Sequence, residues 1–383
     1  MNARWDALDV LRGLSIIGML LNFNPGSWDE SYGWLVHAKW EGGTLIDMVA
    51  PAFLFCIGAA MPLSFQRRFA RGDSKRTLLM HVLRRSLLLI AIGFVLNLYP
   101  YFDFAHVRIP GVLQRIGLCY ALVGAFVIWT ARVDVAGGLA VRPLRLGGLA
   151  IVILTAYWLL LYFVPVPGFG APRFDPVGSW PAVVDRAVIG TAHMFPWWPV
   201  DGQVVFDPEG ILSTLPACFN VLLGVLAGWA YGSGRLSRPA LTAAVAGAAM
   251  MALAIALNPV CPIIKNLWTS TFALFSGGFA LLILGLLMPL SPRPVITHIL
   301  TPARIFGENP LLAYILGWLI GPLLDWPWIG DPEVPVSLRN AGQLWLSEFF
   351  EARLASLIFG LICLLLVFAM LLYCRRRRWI LKL

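Results

Sequence analysis

Ten apolar runs, each close to twenty residues long, dictate what this chain can become. They fall at about 8–24, 45–65, 78–98, 110–131, 146–166, 210–231, 239–257, 267–290, 308–324 and 353–374. Twenty helical residues cross a hydrocarbon core about 30 Å thick. In lipid the backbone must satisfy its own hydrogen bonds, so the runs predict helices and not strands. With 59% of its 383 residues hydrophobic and 13% charged, the chain cannot hide its apolar surface in a water-soluble globule. The expected fold is an all-α polytopic membrane helix bundle with about ten transmembrane helices. It forms a single domain over residues 1–383, with a long outer loop at about 167–209. Pro310 and Pro322 interrupt the ninth run.

Lysine and arginine sort the loops into two sides. Arg67, Arg68, Arg71, Lys75, Arg76, Arg132, Arg142, Arg145, Arg235, Arg238, Arg293 and Arg375 to Arg378 share one side. The other holds Lys39, Arg108, Arg173, Arg186, Lys265 and Arg339. The basic side is expected to be cytoplasmic, with both termini on it. The terminal arginine run then meets lipid headgroups, and nucleic acid is not an expected partner. The outer loops are acidic: Asp29, Glu30, Glu41, Asp103, Asp175, Asp185, Asp201, Asp207, Glu209, Asp331 and Glu333. These acids either remain where bases are depleted or form a field that gathers cationic substrates.

Six cysteines, five of them in or at spans and Cys261 in an outer loop, give no disulfide framework. No Cys/His spacing suggests zinc, so no metal is expected. The first run starts at once, carries Asp9 and Arg12 and shows no cleavage pattern, so no signal peptide is expected. Arginine is preferred over lysine and no Asn-x-Ser/Thr sequon occurs. Both fit a bacterial inner-membrane protein. The long loop carries Phe169, Phe174, Trp180, Phe195, Trp197, Trp198 and Phe206. Such aromatics serve as interfacial belts or stack on the apolar face of a sugar.

Ionisable groups near membrane depth carry the chemistry. His37 to Asp47 leads directly into the second run, so a histidine, Trp40 and acids sit where a span meets water. Histidine exchanges protons near neutral pH, and an Asp opening a span needs a partner or a task. Asp9 and Arg12 share one helix face, as an ion pair or with Arg12 facing anionic phosphates. Arg84 and Arg85 open the third span, where one snorkels and the second exceeds that need. Arg115 lies inside the fourth run and needs an interior partner. Asn22 ends the first run, and Asn309 opens the ninth. Thus His37, Asn22, Asp47 and Arg115 belong to the outer half, and Arg12, Arg85 and Arg304 to the inner half. An acid/base group on one side and a phosphate-binding set on the other suggest group transfer across the membrane.

Several motifs make the suggestion specific. They are Leu8-Asp-Val-Leu-Arg-Gly13, Asn22, His37-Ala-Lys-Trp40 running to Asp47, Pro51 and Gly58, and Val107-Arg-Ile-Pro-Gly-Val-Leu-Gln-Arg-Ile-Gly117. Asp207-Pro-Glu-Gly-Ile-Leu212, Lys265-Asn-Leu-Trp268 and Asn309 follow. In this order they resemble the transmembrane acyltransferase family of heparan-α-glucosaminide N-acetyltransferase and its bacterial relatives, over nearly the whole chain. The luminal N-terminal domain and extra first span of the lysosomal enzyme have no counterpart in this sequence. The Asn22–His37 connection carries its own insertion at Ser27 to Tyr32.

The resemblance implies an acetyl-CoA-dependent N-acetyltransferase. Acetyl-CoA would enter from the cytoplasm and meet Arg12, Arg85, Arg304 and Asn309. An amino sugar of the glucosamine type would arrive from the periplasm and meet Trp40, Arg115 and Glu209. His37 is the residue the resemblance marks as catalytic, with Asn22 at the carbonyl oxygen and Asp47 orienting the imidazole or holding the cationic substrate. Direct transfer and an acetyl-histidine intermediate both stay open. So do an amino-sugar transporter and an O-acyltransferase of an envelope sugar. A homodimer is the candidate assembly.

Overall fold

The computed structural model describes residues 5–133, 138–291, 293–329 and 336–381. Asp331 and Glu333 lie outside the described residues. The chain is a multi-pass, all-α membrane protein of thirteen described helices. Eight of them are long and apolar enough to cross a membrane: Ile46–Phe69, Lys75–Leu98, Val112–Thr130, Pro143–Phe163, Thr214–Gly232, Pro239–Leu257, Ser270–Leu290 and Ala352–Arg376. They match eight of the ten expected spans. The other two form shorter or more polar helices. Helix α1 (Asp6–Phe23) carries Asp6, Asp9 and Arg12 in its first two turns. The ninth run becomes a helix of 16 residues, Pro310–Asp325.

In chain order the rest are α2 (Val49–Phe69), α3 (Lys75–Leu98), α4 (Val112–Thr130), α5 (Pro143–Phe163), α6 (Trp180–Val188) and α7 (Thr214–Gly232). They continue as α8 (Pro239–Leu257), α9 (Ser270–Leu290), α10 (Pro294–Glu308), α11 (Pro310–Asp325), α12 (Leu338–Ser347) and α13 (Ala352–Arg376). Proline opens α5, α8, α10 and α11, where its missing N–H costs nothing. Two short antiparallel strand pairs complete the described structure, Arg132–Val133 with Leu139–Ala140 and Pro327–Ile329 with Val336–Ser337.

The contacts divide the chain into two compact units. The first comprises Met1–Lys39, Gly43–Phe53 and Leu287–Leu383, and the second Trp40–Gly42 and Leu54–Leu286.

In the first unit α1 crosses α10 backbone to backbone. A Cβ on Gly13 would lie 1.7 Å from the Ala303 carbonyl oxygen, and one on Gly307 would lie 1.9 Å from that of Asp9. Such approach is how membrane helices gain packing energy, because lipid gives apolar side chains no reason to leave it. Helix α10 was not foreseen as an element. Pro294, Pro302 and Arg304 break its apolar run, although its apolar residues keep helical spacing. Beside it, α12 packs on α13 through Leu346, Ala355, Phe359 and Cys363.

In the second unit, α2 and α7 meet along a glycine seam. Gly58 faces the Val221 carbonyl, Gly224 that of Phe55, and Gly228 that of Ala59. Helices α3 and α4 pack in the same way, with Gly117 against the Ser86 carbonyl and Gly124 against Val82. The long segment between α5 and α7 is ordered around α6. Ala182, Val205 and Phe206 form a small core beneath it, with Trp40 and Trp198 packed against them.

Candidate active site

His37 lies in the first unit, on the connection between α1 and the single 3-10 turn Ile46–Met48 that opens α2. Its Nδ1 is 2.6 Å from Oδ1 of Asp47. The Asp47 side chain is fully buried, while that of His37 keeps 26% exposure. The second oxygen of Asp47 accepts from the backbone N–H of Ala38 at 3.1 Å and from that of Thr44 at 2.9 Å. The carboxylate reaches back to Thr44 N–H as the acid of a capping box does, at a helix start that favours negative charge. Both oxygens of the carboxylate thus face donors. The Nδ1 it faces therefore carries the proton, which makes Nε2 the basic nitrogen.

Asn22 closes the same loop from α1. Its Nδ2 donates to the Leu35 carbonyl at 3.0 Å, two residues before His37. The Thr44 hydroxyl donates to the Val36 carbonyl at 2.8 Å. The backbone leading into His37 is thus pinned by α1 on one side and by the turn before α2 on the other. The structure brings Asn22, His37 and Asp47 into one local assembly.

The remaining candidates of this unit gather around α10. Arg12 donates to Asp9 and to the Gly307 carbonyl. Arg304 and Arg375 both approach Glu308, at 3.9 Å and 3.4 Å. Arg304 also lines a shallow cleft with Asp6, Val10, Ser291, Thr297 and Leu300. Asn309 joins α10 to α11 and holds the chain end, donating to the Trp379 carbonyl and accepting from the Leu381 N–H.

The second unit holds a buried ionic cluster. Arg108 makes a bidentate pair with Asp207, Nε to Oδ2 at 2.9 Å and Nη2 to Oδ1 at 2.5 Å, and also pairs with Glu209. Its guanidinium lies 4.6 Å over the Phe195 ring. Asn97 secures the backbone on either side of Ile109, donating to the carbonyls of Arg108 and Pro110. Seven residues on, Arg115 donates to the Ser213 hydroxyl and the Gly210 carbonyl and lies 4.8 Å over Trp268. Asp185 of α6 accepts from the Ile211 N–H at 2.8 Å. Segments 107–117, 207–213 and 265–268 therefore build one polar cluster from three distant stretches of sequence.

Burial and charge oppose each other here. Burial disfavours the Glu209 carboxylate, but Arg108, Arg115 and Lys265 outweigh it and hold its pKa at about 2. At Asp185 burial outweighs the pull of Arg115 and Arg186. Burial lifts it to about 7, against its hydrogen bond from Ile211.

Comparison with known proteins decides the family. The family model for the catalytic region of heparan-alpha-glucosaminide N-acetyltransferase matches residues 4–185. The chain is 31% identical to heparan-alpha-glucosaminide N-acetyltransferase of Mus musculus over 353 residues, covering 82% of this chain and 53% of the relative. For the Homo sapiens protein the identity is again 31%, over 82% of this chain and 52% of the relative. The chain belongs to this family. It spans about half the length of the curated relatives it matches.

The region matched by the heparan-α-glucosaminide N-acetyltransferase model contains Arg12, Asn22, His37, Trp40, Asp47, Arg85 and Arg115. Glu209, Arg304 and Asn309 lie beyond it. Arg85, in the second unit, lies 4.9 Å over the Tyr120 ring. Trp40 donates from its indole to the Phe174 carbonyl at 2.7 Å and meets Phe206 edge to face, so it also anchors the long loop. Sequence reasoning missed Arg108 and Asp185 as site candidates. Arg108 had a signal: a base on the side of the membrane where bases are scarce, in a chain with acids to spare there.

Proposed function

We propose that this protein transfers an acetyl group from acetyl-CoA to the amine of a glucosamine-type sugar. The observation that carries the reading is the His37–Asp47 pair, with its carboxylate fixed by two backbone N–H donors. A glucosamine amine is protonated and non-nucleophilic until it loses a proton. His37 Nε2, backed by Asp47, accepts that proton, and Asp47 stabilises the imidazolium that forms. The amine nitrogen then forms a bond to the acetyl carbon, and the carbon–sulfur bond breaks. The proton returns from His37 to the departing CoA thiolate, and the acylated nitrogen releases its remaining excess proton to solvent, leaving the neutral amide. Asn22, at the same loop, supplies an amide donor for the developing oxyanion. In a two-step route the same Nε2 would carry the acetyl group.

The inner end of the first unit offers a place for the donor's phosphates. The Arg304 Nε is buried and satisfied by no hydrogen bond, at a cleft that also presents Ser291 and Thr297. The guanidinium there fits a phosphate group, while the Ser291 and Thr297 hydroxyls donate to backbone carbonyls. Arg12 and Asn309, in the same unit, complete the proposed donor set, and Trp40, Arg115 and Glu209, all of the second unit, form the proposed acceptor set. Asp6 and Asn22 lie sixteen residues apart on α1, about 24 Å along the helix axis. That span suits a donor whose nucleotide stays at one end while its acetyl group reaches the other. Acetyl-CoA would bind from the cytoplasm and the acceptor from the periplasm. The protein would then occupy a bacterial inner membrane with both termini inside, as one transmembrane acyltransferase domain.

The test is transfer of radiolabelled acetyl from acetyl-CoA by detergent-purified protein, with and without glucosamine. Product that forms only with the amine supports the reading. Transfer to neutral sugars alone would point to an O-acyltransferase, and sugar accumulation in vesicles to a transporter.

A further inference from the structure

A second, shallow cleft opens to the surface in the first unit at the C-terminal end of α1. Asn22, Trp28, Ser31 and Tyr32 line one side, and Arg353 and Ser356 of α13 line the other. The segment carrying Trp28 is fastened to α13. The Ser27 N–H donates to Ser356 Oγ at 3.0 Å, the Ser356 hydroxyl donates back to the Ser27 carbonyl at 2.8 Å, and the Gly26 N–H donates to the Ser356 carbonyl at 3.2 Å.

Trp28 is held as a fixed plate. Its indole N–H donates to the Asn22 carbonyl at 3.3 Å, and the Arg339 guanidinium lies 4.6 Å over its ring. Arg339 is itself buried and held by Asp325 and the Pro25 carbonyl. One face of the indole is thus backed by an immobile cation, yet Trp28 remains 49% exposed. Arg353 is exposed and has no ion-pair partner among the described residues. A rigid aromatic plate, hydroxyls and a guanidinium around one cleft match the two characters of a pyranose. Its C–H face packs on an aromatic ring, and its hydroxyls take directional donors and acceptors. An acyl chain would leave the Arg353 guanidinium unused, whereas the Ser31 and Ser356 hydroxyls, which donate to the Ser27 carbonyl, keep acceptor positions for a sugar hydroxyl.

From this arrangement we infer that the cleft is a subsite for a further sugar unit of the acceptor, next to the unit whose amine is acetylated. The inference rests on the acetyl-transfer reading, because Asn22 borders both places. It makes Trp28 and Arg353 determinants of acceptor length.

The experiment measures calorimetric binding and, separately, acetylation of glucosamine and of its β-1,4-linked trimer by the full chain in detergent. Wild type should bind the trimer at least about tenfold more tightly than the monomer. Trp28→Ala and Arg353→Ala should each erase most of that ratio, and Trp28→Phe should keep part of it. Melting curves identify a variant that fails to fold, in which case Arg353→Ala and Trp28→Phe decide. Equal affinity of wild type for trimer and monomer overturns the proposal, as does an equal loss for both ligands in the variants. A trimer that binds in a Trp28-dependent way but is never acetylated leaves the subsite standing and defeats the acetyl-transfer reading instead.

Discussion

The imidazole of His37 and the carboxylate of Asp47 meet at 2.6 Å across a turn that Asp47 itself closes. Asp47 therefore does two things at once. It fixes which imidazole nitrogen is basic, and it fixes the backbone that presents the ring.

The two partners should fail differently. His37→Ala should abolish acetyl transfer while acetyl-CoA binding persists. Asp47→Asn keeps the shape but offers the wrong partner to Nδ1, and in a serine-protease triad the same change costs about 10⁴-fold in kcat. A loss of 10²-fold or more in kcat, with donor binding intact, is expected here. Steady-state kinetics beside acetyl-CoA titration reads both numbers, and wild-type turnover in His37→Ala removes the histidine from the mechanism.

Arg108→Ala should be severely destabilising. It leaves Asp207, fully buried in its side chain, without its paired cation, and Glu209 with only Arg115 and Lys265 to offset its burial. Breaking a buried pair in this way costs about 3–5 kcal/mol. The measurement is thermal melting in detergent. A triple variant that also carries Asp207→Asn and Glu209→Gln should recover part of the loss. An Arg108→Ala protein that melts with the wild type would mean the cluster carries no such energy.

Asp185 should impose a pH dependence on stability. Its folded pKa of about 7 exceeds the ordinary value of 3.8. The neutral acid's contribution is complete below the unfolded value and is lost as pH rises through the folded one. Stability should fall between about pH 4 and 7, by up to about 1.4 kcal/mol per unit. Asp185→Asn should flatten that dependence in melting curves taken across this window. An unchanged slope would locate the titration elsewhere.

Arg304→Ala and Arg12→Ala separate donor binding from helix packing. Arg304 has an unsatisfied donor at a cleft, so its loss should weaken acetyl-CoA by about 1.5–3 kcal/mol. Arg12 bonds Asp9 and the Gly307 carbonyl, so its loss should lower the melting temperature as well as any donor affinity. Overlaying acetyl-CoA titrations for Arg304→Ala and wild type would place the phosphates elsewhere.

What the sequence revealed depended on whether a local pattern carried the information. Apolar runs near twenty residues gave eight membrane-length helices, because span length is set by the lipid and not by tertiary packing. Asp9 and Arg12 pair as their spacing predicts. His37 and Asp47 were both visible as ionisable groups at a span entrance. Their joining hydrogen bond was not, since it depends on how Thr44 and Ala38 fold around the carboxylate. Arg108 and Asp207 are 99 residues apart, and no local periodicity links them. Helix α10 escaped because amphipathic helices interrupted by proline look like loops beside continuous apolar runs.

The glycine seam between α2 and α7 also sets a schedule. Gly58 belongs against Val221, and Gly224 against Phe55, so α2 cannot complete its packing until α7 has been made. Roughly 150 residues separate the two helices, and ribosomes add about 5–20 residues per second. During synthesis α2 therefore waits for roughly eight to thirty seconds with the membrane-length helices α3, α4 and α5 already made behind it and its own partner still absent. Its small-residue face is open throughout that interval, so the nascent chain is most vulnerable to pairing with the wrong helix before α7 arrives.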